Sequence, residues 1–403
     1  MYNYLMVDTN AKKIDEVITR GVENVLPTPE KLKQQLLSGK KLKVYLGIDP
    51  TSPIVHLGHI SIFRKLKQFQ DLGHEIIVLV GDFTAISGDP DKTETRTILS
   101  NKEVLQNMST YKDQLSRIIK FDGDNPASFV RNSEWLSKLT FKDVVELASH
   151  FTVSQLLERD NFQKRLQNQT PIRLHEFLYP LMQGYDSVHL EVDLELGGND
   201  QLFNMMFGRT LLRDIKNKEK FVMTGKIIAD SSGKKIGKTT GNAWNFTLHP
   251  NEVYGKLMAS PDSTIIQCFE QLTDLDMQSI KTKAIELDEG RNPIELKKEL
   301  AYSIVSLYYS NAEAQIAQNY FEQTFQEKNS TELKTIEIAR ASSIDSLVKD
   351  LGFVTSKSHF KQLMDQGAIE IDGIKVTSLT TVLPRQFILK VGKKNIVKII
   401  IND

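Results

Sequence analysis

The sequence predicts an α/β protein: a Rossmann-like parallel sheet with a helical insertion, then an α-helical domain and a small α+β domain. Three observations predict it. Residues 44–48 and 76–80 are short apolar runs, the pattern of parallel strands covered on both faces. Between them Ile62, Leu66 and Phe69 recur at helical spacing until Gly73 offers a stop, which completes a β-α-β unit. The final stretch, 344–403, shifts to short alternating runs with Asp372-Gly373 at a hairpin turn.

The chain has 403 residues, room for several domains at roughly 100–200 residues each. Its 51 Lys plus Arg balance 51 Asp plus Glu, so the overall charge argues neither for nor against nucleic acid. Locally, 344–403 holds nine Lys/Arg against six Asp/Glu, a weakly basic module. The single cysteine, Cys268, excludes internal disulfides and any multi-cysteine metal site. With no basic-then-apolar leader and no apolar window of membrane length, the expectation is a soluble cytoplasmic protein with no membrane partner.

In chain order, 11–38 reads as two short helices around Leu26-Pro27-Thr28-Pro29, with Thr28 as a cap and Pro29 at the first helical position. The first strand breaks at Asp49-Pro50, and regular structure resumes at His56-Leu57-Gly58-His59. Such a strand, turn and helix start suits a phosphate-bearing ligand, because the bared N–H groups of the helix attract anions. The fingerprint Gly-x-Gly-x-x-Gly follows neither strand, which argues against a nicotinamide or flavin enzyme.

Residues 97–170 read as a mainly helical insertion, with Val104, Met108, Tyr111, Leu115 and Ile118 on one face. A helix over 171–186 places Tyr179, Gln183 and Asp186 together. A strand over 188–196 then turns at Gly197-Gly198-Asn199-Asp200-Gln201 into another helix, and 221–223 is a last short strand. Beyond lies a loop rich in glycine and lysine, 231–242; residues 250–328 are helical and 326–342 reads as a hinge. The domains expected are 1–228, a lysine loop at 229–246, 247–328, a linker at 329–343, and 344–403.

With these elements in hand, the sequence resembles the bacterial tyrosyl-tRNA synthetases, class I aminoacyl-tRNA synthetases, over nearly its whole length. His56-Leu57-Gly58-His59 is similar to the His-x-Gly-His signature of that class, and Lys235-Ile236-Gly237-Lys238-Thr239 to its mobile Lys-x-x-Lys-Ser/Thr loop. The resemblance implies two substrates, L-tyrosine and ATP with Mg2+, then transfer to tRNA(Tyr), with no tightly bound protein metal. It implies that Thr51, His56, Lys92, Arg96, Lys235, Lys238 and Thr239 act on the phosphates, and that His59, catalytic with them, lies near the nucleoside. Gly47, Gly58, Gly198 and Asp200 would then accommodate the nucleotide.

For the amino acid, the resemblance implies Tyr45 and Asp186 at the phenol hydroxyl and Asp89, Tyr179 and Gln183 at the ammonium. Gln201 would face the carboxylate end, and Asp49 would stand between the substrates. The final module would bind RNA through Lys357, His359, Lys361 and Lys375, and the insertion near 130–167 would form a homodimer. The alternatives are a tryptophanyl-type synthetase, against which Tyr45 and Asp186 argue, and an RNA-binding protein with an idle catalytic site, against which the intact signatures argue.

Overall fold

The computed structural model describes residues 6–90, 99–232, 244–330, 335–338, 343–372, 374–376, 378, 383–392 and 395–402. The chain divides into two units, Met1–Asn319 and Tyr320–Asp403.

The first unit holds a six-stranded sheet: β1 (Val22–Leu26), β2 (Lys43–Ile48), β3 (Glu75–Val80), β4 (Ser128–Arg131), β5 (Leu194–Gly198) and β6 (Phe221–Gly225). The order is β1-β6-β5-β2-β3-β4, all parallel except β1, which runs antiparallel to β6. From β2 the chain steps outward to β3 and β4, then returns to lay β5 and β6 on the other side. The strand order therefore reverses between β2 and β5, and a crevice opens at their carboxyl ends, where ligands bind in sheets of this kind.

The helix Leu57–Asp71 connects β2 to β3 with Ile60, Phe63, Leu66 and Phe69 buried, as the helical spacing requires. The helices Tyr179–Leu190 and Leu202–Lys216 flank β5 and cross closely, because at Gly184 an added Cβ would lie 2.8 Å from Leu211 and 3.3 Å from the Gly208 nitrogen.

Two edge strands depart from the expectation. The N-terminal helices Ala11–Thr19 and Pro29–Leu37 are present, the second capped by Thr28 with Pro29 leading, but β1 lies between them. Stretch 97–170 is not wholly helical, since β4 adds to the edge of β3. Both strands are short and only partly buried, so neither carries the apolar run that marks a covered strand. Residues 188–190 continue the Tyr179 helix rather than opening a strand, and β5 begins at Leu194.

Helices Pro250–Met258, Ile265–Leu272, Met277–Asp288 and Pro293–Tyr308 follow, and three arginines tie them to the sheet half. Arg20 donates to the carbonyls of Phe269, Glu270 and Thr273, Arg64 pairs with Asp274, and Arg117 donates to Tyr308 O. In the second unit, helices Ile344–Asp350 and Lys357–Asp365 pack on a sheet of β7 (Thr335–Ile338), β8 (Ile369–Ile371), β9 (Ile374–Lys375), β10 (Gln386–Val391) and β11 (Asn395–Ile401). The sheet order is β7-β11-β10-β8-β9. Part of the expected hinge is thus a strand, β7 pairing parallel with β11.

His74, at the entry to β3, is fully buried, and its Nδ1 accepts from the Leu42 N–H at 3.2 Å. Burial lowers its pKa from 6.5 to about 4, so the folded chain holds it neutral while the unfolded chain protonates it below 6.5. The stability it contributes is full above pH 6.5 and is lost as pH falls toward 4, a change of ~3 kcal/mol. Urea unfolding at pH 7.5 and pH 5 should show a smaller loss in His74→Gln than in the wild type; equal losses would remove His74 as the cause.

Candidate active site

The crevice between β2 and β5 is a cavity of about 440 Å³. Every site residue of the catalytic half expected from the sequence and described by the structure lines it. Tyr45, Gly47, Asp49 and Thr51 come from β2 and the turn after it. His56, Gly58 and His59 come from the start of the next helix, Asp89 from beyond β3, and Tyr179, Gln183 and Asp186 from one helix face. Gly198, Asp200 and Gln201 close the circuit at the end of β5. Lys92, Arg96, Lys235, Lys238 and Thr239 lie outside the described residues.

The two ends of the cavity differ in burial. Tyr45 and Asp186 are 1% and 2% exposed, whereas Gly58 and Asp200 are open to solvent. At the outer end His56 occupies the N-cap position without capping through its side chain, and its ring stacks on His59 at 3.9 Å and 19°. Gly58 lets the ring settle there: a Cβ at 58 would meet His56 Cε1 at 3.3 Å. At Gly198 a Cβ would lie 2.5 Å from Asp200 Oδ1.

At the buried end Asp186 accepts from Trp135 Nε1 at 2.8 Å and from Asn132 Nδ2 at 3.2 Å. Burial pushes its carboxyl well above the usual range, opposed by those two donors and reinforced by the charges of Asp49 and Glu195. Asn132 and Trp135 follow β4 directly, so the strand missed in the sequence delivers both donors. Tyr45 is not bonded to Asp186; its hydroxyl lies 3.0 Å from Ser187 Oγ.

The residues expected at the ammonium are themselves held by protein partners. Tyr179 donates to Asp49 Oδ2 at 2.8 Å, and Asp49 Oδ1 accepts from Thr84 at 2.8 Å. Asp89 is held by the buried Arg159 and by Gln201 Nε2 at 2.6 Å. The carboxylate bonded to Tyr179 is therefore Asp49, and Asp89 is already charge-balanced. Gln183 donates to Glu195 Oε1 at 3.1 Å. Arg159, Glu195, Asn132, Trp135 and Ser187 were not singled out from the sequence, and only buried charge in an apolar setting, as at Glu195 in β5, could have flagged one of them.

A sheet of this order with a nucleotide-sized crevice, a histidine pair at a helix start and a buried carboxyl defines a class of enzyme that handles a nucleotide together with a small polar substrate. Comparison with known proteins places it: residues 37–326 match the family described as tRNA synthetases class I (W and Y), and the chain belongs to that family.

Within it, the chain is 42% identical to the tyrosine–tRNA ligase of Carboxydothermus hydrogenoformans over 96% of this chain and 97% of that one. It is 40% identical to that of Thermotoga maritima over 95% and 96%. Among solved structures it is similar to the tyrosyl-tRNA synthetase of Archaeoglobus fulgidus complexed with L-tyrosine, with TM-score 0.59 and 25% identity over 77% of this chain and all of that one. The truncated mitochondrial enzyme of Aspergillus nidulans shares the fold at TM-score 0.67 and 21% identity, over 78% of this chain and 94% of that one.

In the second unit the expected RNA-facing residues stand as follows. Lys357, Lys361 and Lys375 are exposed and His359 is partly buried. Lys357 and Lys361 share a helix face, and the Lys375 side chain passes over Gly367, where a Cβ would meet it at 3.2 Å. Among the described residues no acid-and-histidine cluster suits a metal ion, and no helix is long and apolar enough to cross a membrane.

Proposed function

We propose that the chain activates L-tyrosine with ATP, taken as its Mg2+ complex, and transfers the tyrosyl group to the 3′ end of tRNA(Tyr) in the cytoplasm. One observation carries the reading: a single cavity joins a buried end, holding Tyr45 and Asp186, to an open end at a helix start bearing His56, Gly58 and His59.

In the first step a tyrosine carboxylate oxygen attacks the α-phosphorus, the bond to the bridging oxygen breaks, and pyrophosphate leaves with the electron pair. The protein supplies position and charge stabilisation rather than a nucleophile. His56, Thr51 and the helix N–H groups face the phosphates, joined by Lys92, Arg96, Lys235, Lys238 and Thr239. Gly47, Gly58, His59, Gly198 and Asp200 seat the nucleoside, while Tyr179, Asp49, Asp89, Gln183 and Gln201 orient the amino and carboxyl groups. In the second step a terminal ribose hydroxyl attacks the adenylate carbonyl, AMP departs, and the hydroxyl proton is released.

Pyrophosphate exchange into ATP, run with each of the twenty amino acids, tests the reading. Tyrosine alone should support it, and exchange that follows tryptophan would end it.

Residues 344–403, with Lys357, His359, Lys361 and Lys375, form the tRNA contact. Deleting them should leave exchange intact and lower kcat/KM for tRNA by about tenfold or more, the loss of ~1.4 kcal/mol of RNA contact; unimpaired charging would refute that assignment. The insertion carries the dimer face: within it Phe141, Val145 and Val153 are 84%, 54% and 64% exposed, large apolar side chains of the kind a partner contact covers. Phe141→Asp with Val153→Asp should shift the sedimenting species from dimer to monomer, whereas a wild type already monomeric would rule the dimer out.

A further inference from the structure

At the buried end of the cavity lies a polar cluster to which the activation chemistry above gives no role: Glu195 is in its wall, and Ser187 and Lys220 stand behind. Lys220, immediately before β6, is wholly enclosed; its ammonium pairs with Glu195 Oε2 and donates to Ser187 Oγ at 2.8 Å. Ser187 is itself fully buried and lies 3.0 Å from the Tyr45 hydroxyl. Glu195 Oε1 accepts from Gln183. One ammonium thus reaches, through a hydroxyl and a carboxylate, two residues that line the amino-acid end.

The fold makes specific room for it. At Gly208 a Cβ would lie 2.6 Å from Lys220 Nζ and 2.7 Å from Ser187 Oγ, so glycine there is what lets the lysine head reach the serine. A buried ion pair is a poor way to stabilise a core, since apolar residues of similar volume do as well or better. Its use is to be sought in direction.

A lysine ammonium can only donate. Ser187 Oγ therefore accepts from Lys220 and keeps one proton to give. Two acceptors are in reach: the Tyr45 oxygen at 3.0 Å, and Glu195 Oε2 at 3.4 Å, which already holds the ammonium. The shorter contact takes the proton. The Tyr45 oxygen then accepts from Ser187, and its own phenolic proton turns elsewhere: Glu195 also neighbours the phenol, but its two oxygens already accept from Lys220 and Gln183, which leaves that proton to the cavity. Asp186, with Trp135 and Asn132 donating to it, offers acceptor lone pairs to the same cavity. A substrate atom reached by both must accept from Tyr45 and donate to Asp186. A hydroxyl does both; a ring C–H does neither.

We propose that Lys220, with Glu195 and Ser187, is a positioning residue that fixes the direction of the Tyr45 hydrogen bond, so that the amino-acid site demands a hydroxyl. This rests on the reading of the site as one for tyrosine. Ser187→Ala keeps the ion pair and cuts the relay, which makes it the deciding variant.

The full-length protein is assayed by pyrophosphate exchange with tyrosine and with phenylalanine. Ser187→Ala should lower kcat/KM for tyrosine about tenfold, through KM, and leave phenylalanine unchanged, so that the selectivity ratio falls by the same factor. In a Tyr45→Phe background the same substitution should not move the ratio further. A folded Lys220→Met, Glu195→Leu double variant should reproduce the fall.

Equal losses for both amino acids, an additive effect in the Tyr45→Phe background, or full selectivity in the folded double variant would overturn the proposal. A wild type that ignores tyrosine would overturn the underlying reading first, and that is seen before any variant is measured.

Discussion

Asp186→Asn should give a protein that activates tyrosine far less well and yet melts at a higher temperature near neutral pH. The carboxyl is 2% exposed and is held by two neutral donors, Trp135 and Asn132. In the role proposed for Asp186, losing its hydrogen bond to the substrate hydroxyl removes ~1.5–3 kcal/mol, so kcat/KM for tyrosine should fall on the order of a hundredfold. The stability change has the opposite sign. Burial raises the folded-state pKa of Asp186 well above 3.8, so as pH rises past 3.8 the unfolded chain sheds its proton first and folding stability is lost. Asparagine removes that loss. The melting temperature should exceed the wild type at pH 7–8, and the difference should vanish near pH 4. A melting temperature lower than wild type across the whole range would mean that Asp186 is a structural group. Activity given up against stability gained is the signature of a site built for a ligand.

His56→Ala should slow adenylate formation by about 10²-fold or more while tyrosine affinity stays within about twofold. The imidazole stands at the open end of the cavity, at the N-terminus of a helix and stacked on His59, remote in function from the buried end at Tyr45 and Asp186. Groups placed where charge develops on departing phosphates act on the transition state and not on the binding of the amino acid, so kcat should fall without a change in tyrosine KM. Equilibrium binding of tyrosine together with single-turnover adenylate formation measures both. A large loss of tyrosine affinity would place His56 at the wrong end of the cavity.

Local pattern carried much of this structure. The apolar run at 76–80 is a covered strand, the helix after His56 buries the residues its spacing requires, and Thr28-Pro29 starts a helix. The face shared by Tyr179, Gln183 and Asp186 does point into one cavity. Local pattern failed at the sheet edges. β1, β4 and β7 are four or five residues long and half-buried, so their alternation is too brief to separate from loop.

By itself, then, the sequence determined which residues stand at the carboxyl end of β2 and the start of the following helix, because strand ends, turns and helix caps are written in neighbouring residues. Only the tertiary structure decided their partners. Asp186 meets Asn132 and Trp135, Asp89 meets Arg159, and Tyr45 meets Ser187 and through it Lys220. These pairs lie far apart along the chain, and what joins them is strand order: the edge position of β4, the return of β5 beside β2, and the close crossing at Gly184 and Gly208. Hydrogen-bond geometry acts over about 3 Å in space, whereas periodicity reports only which way a side chain faces.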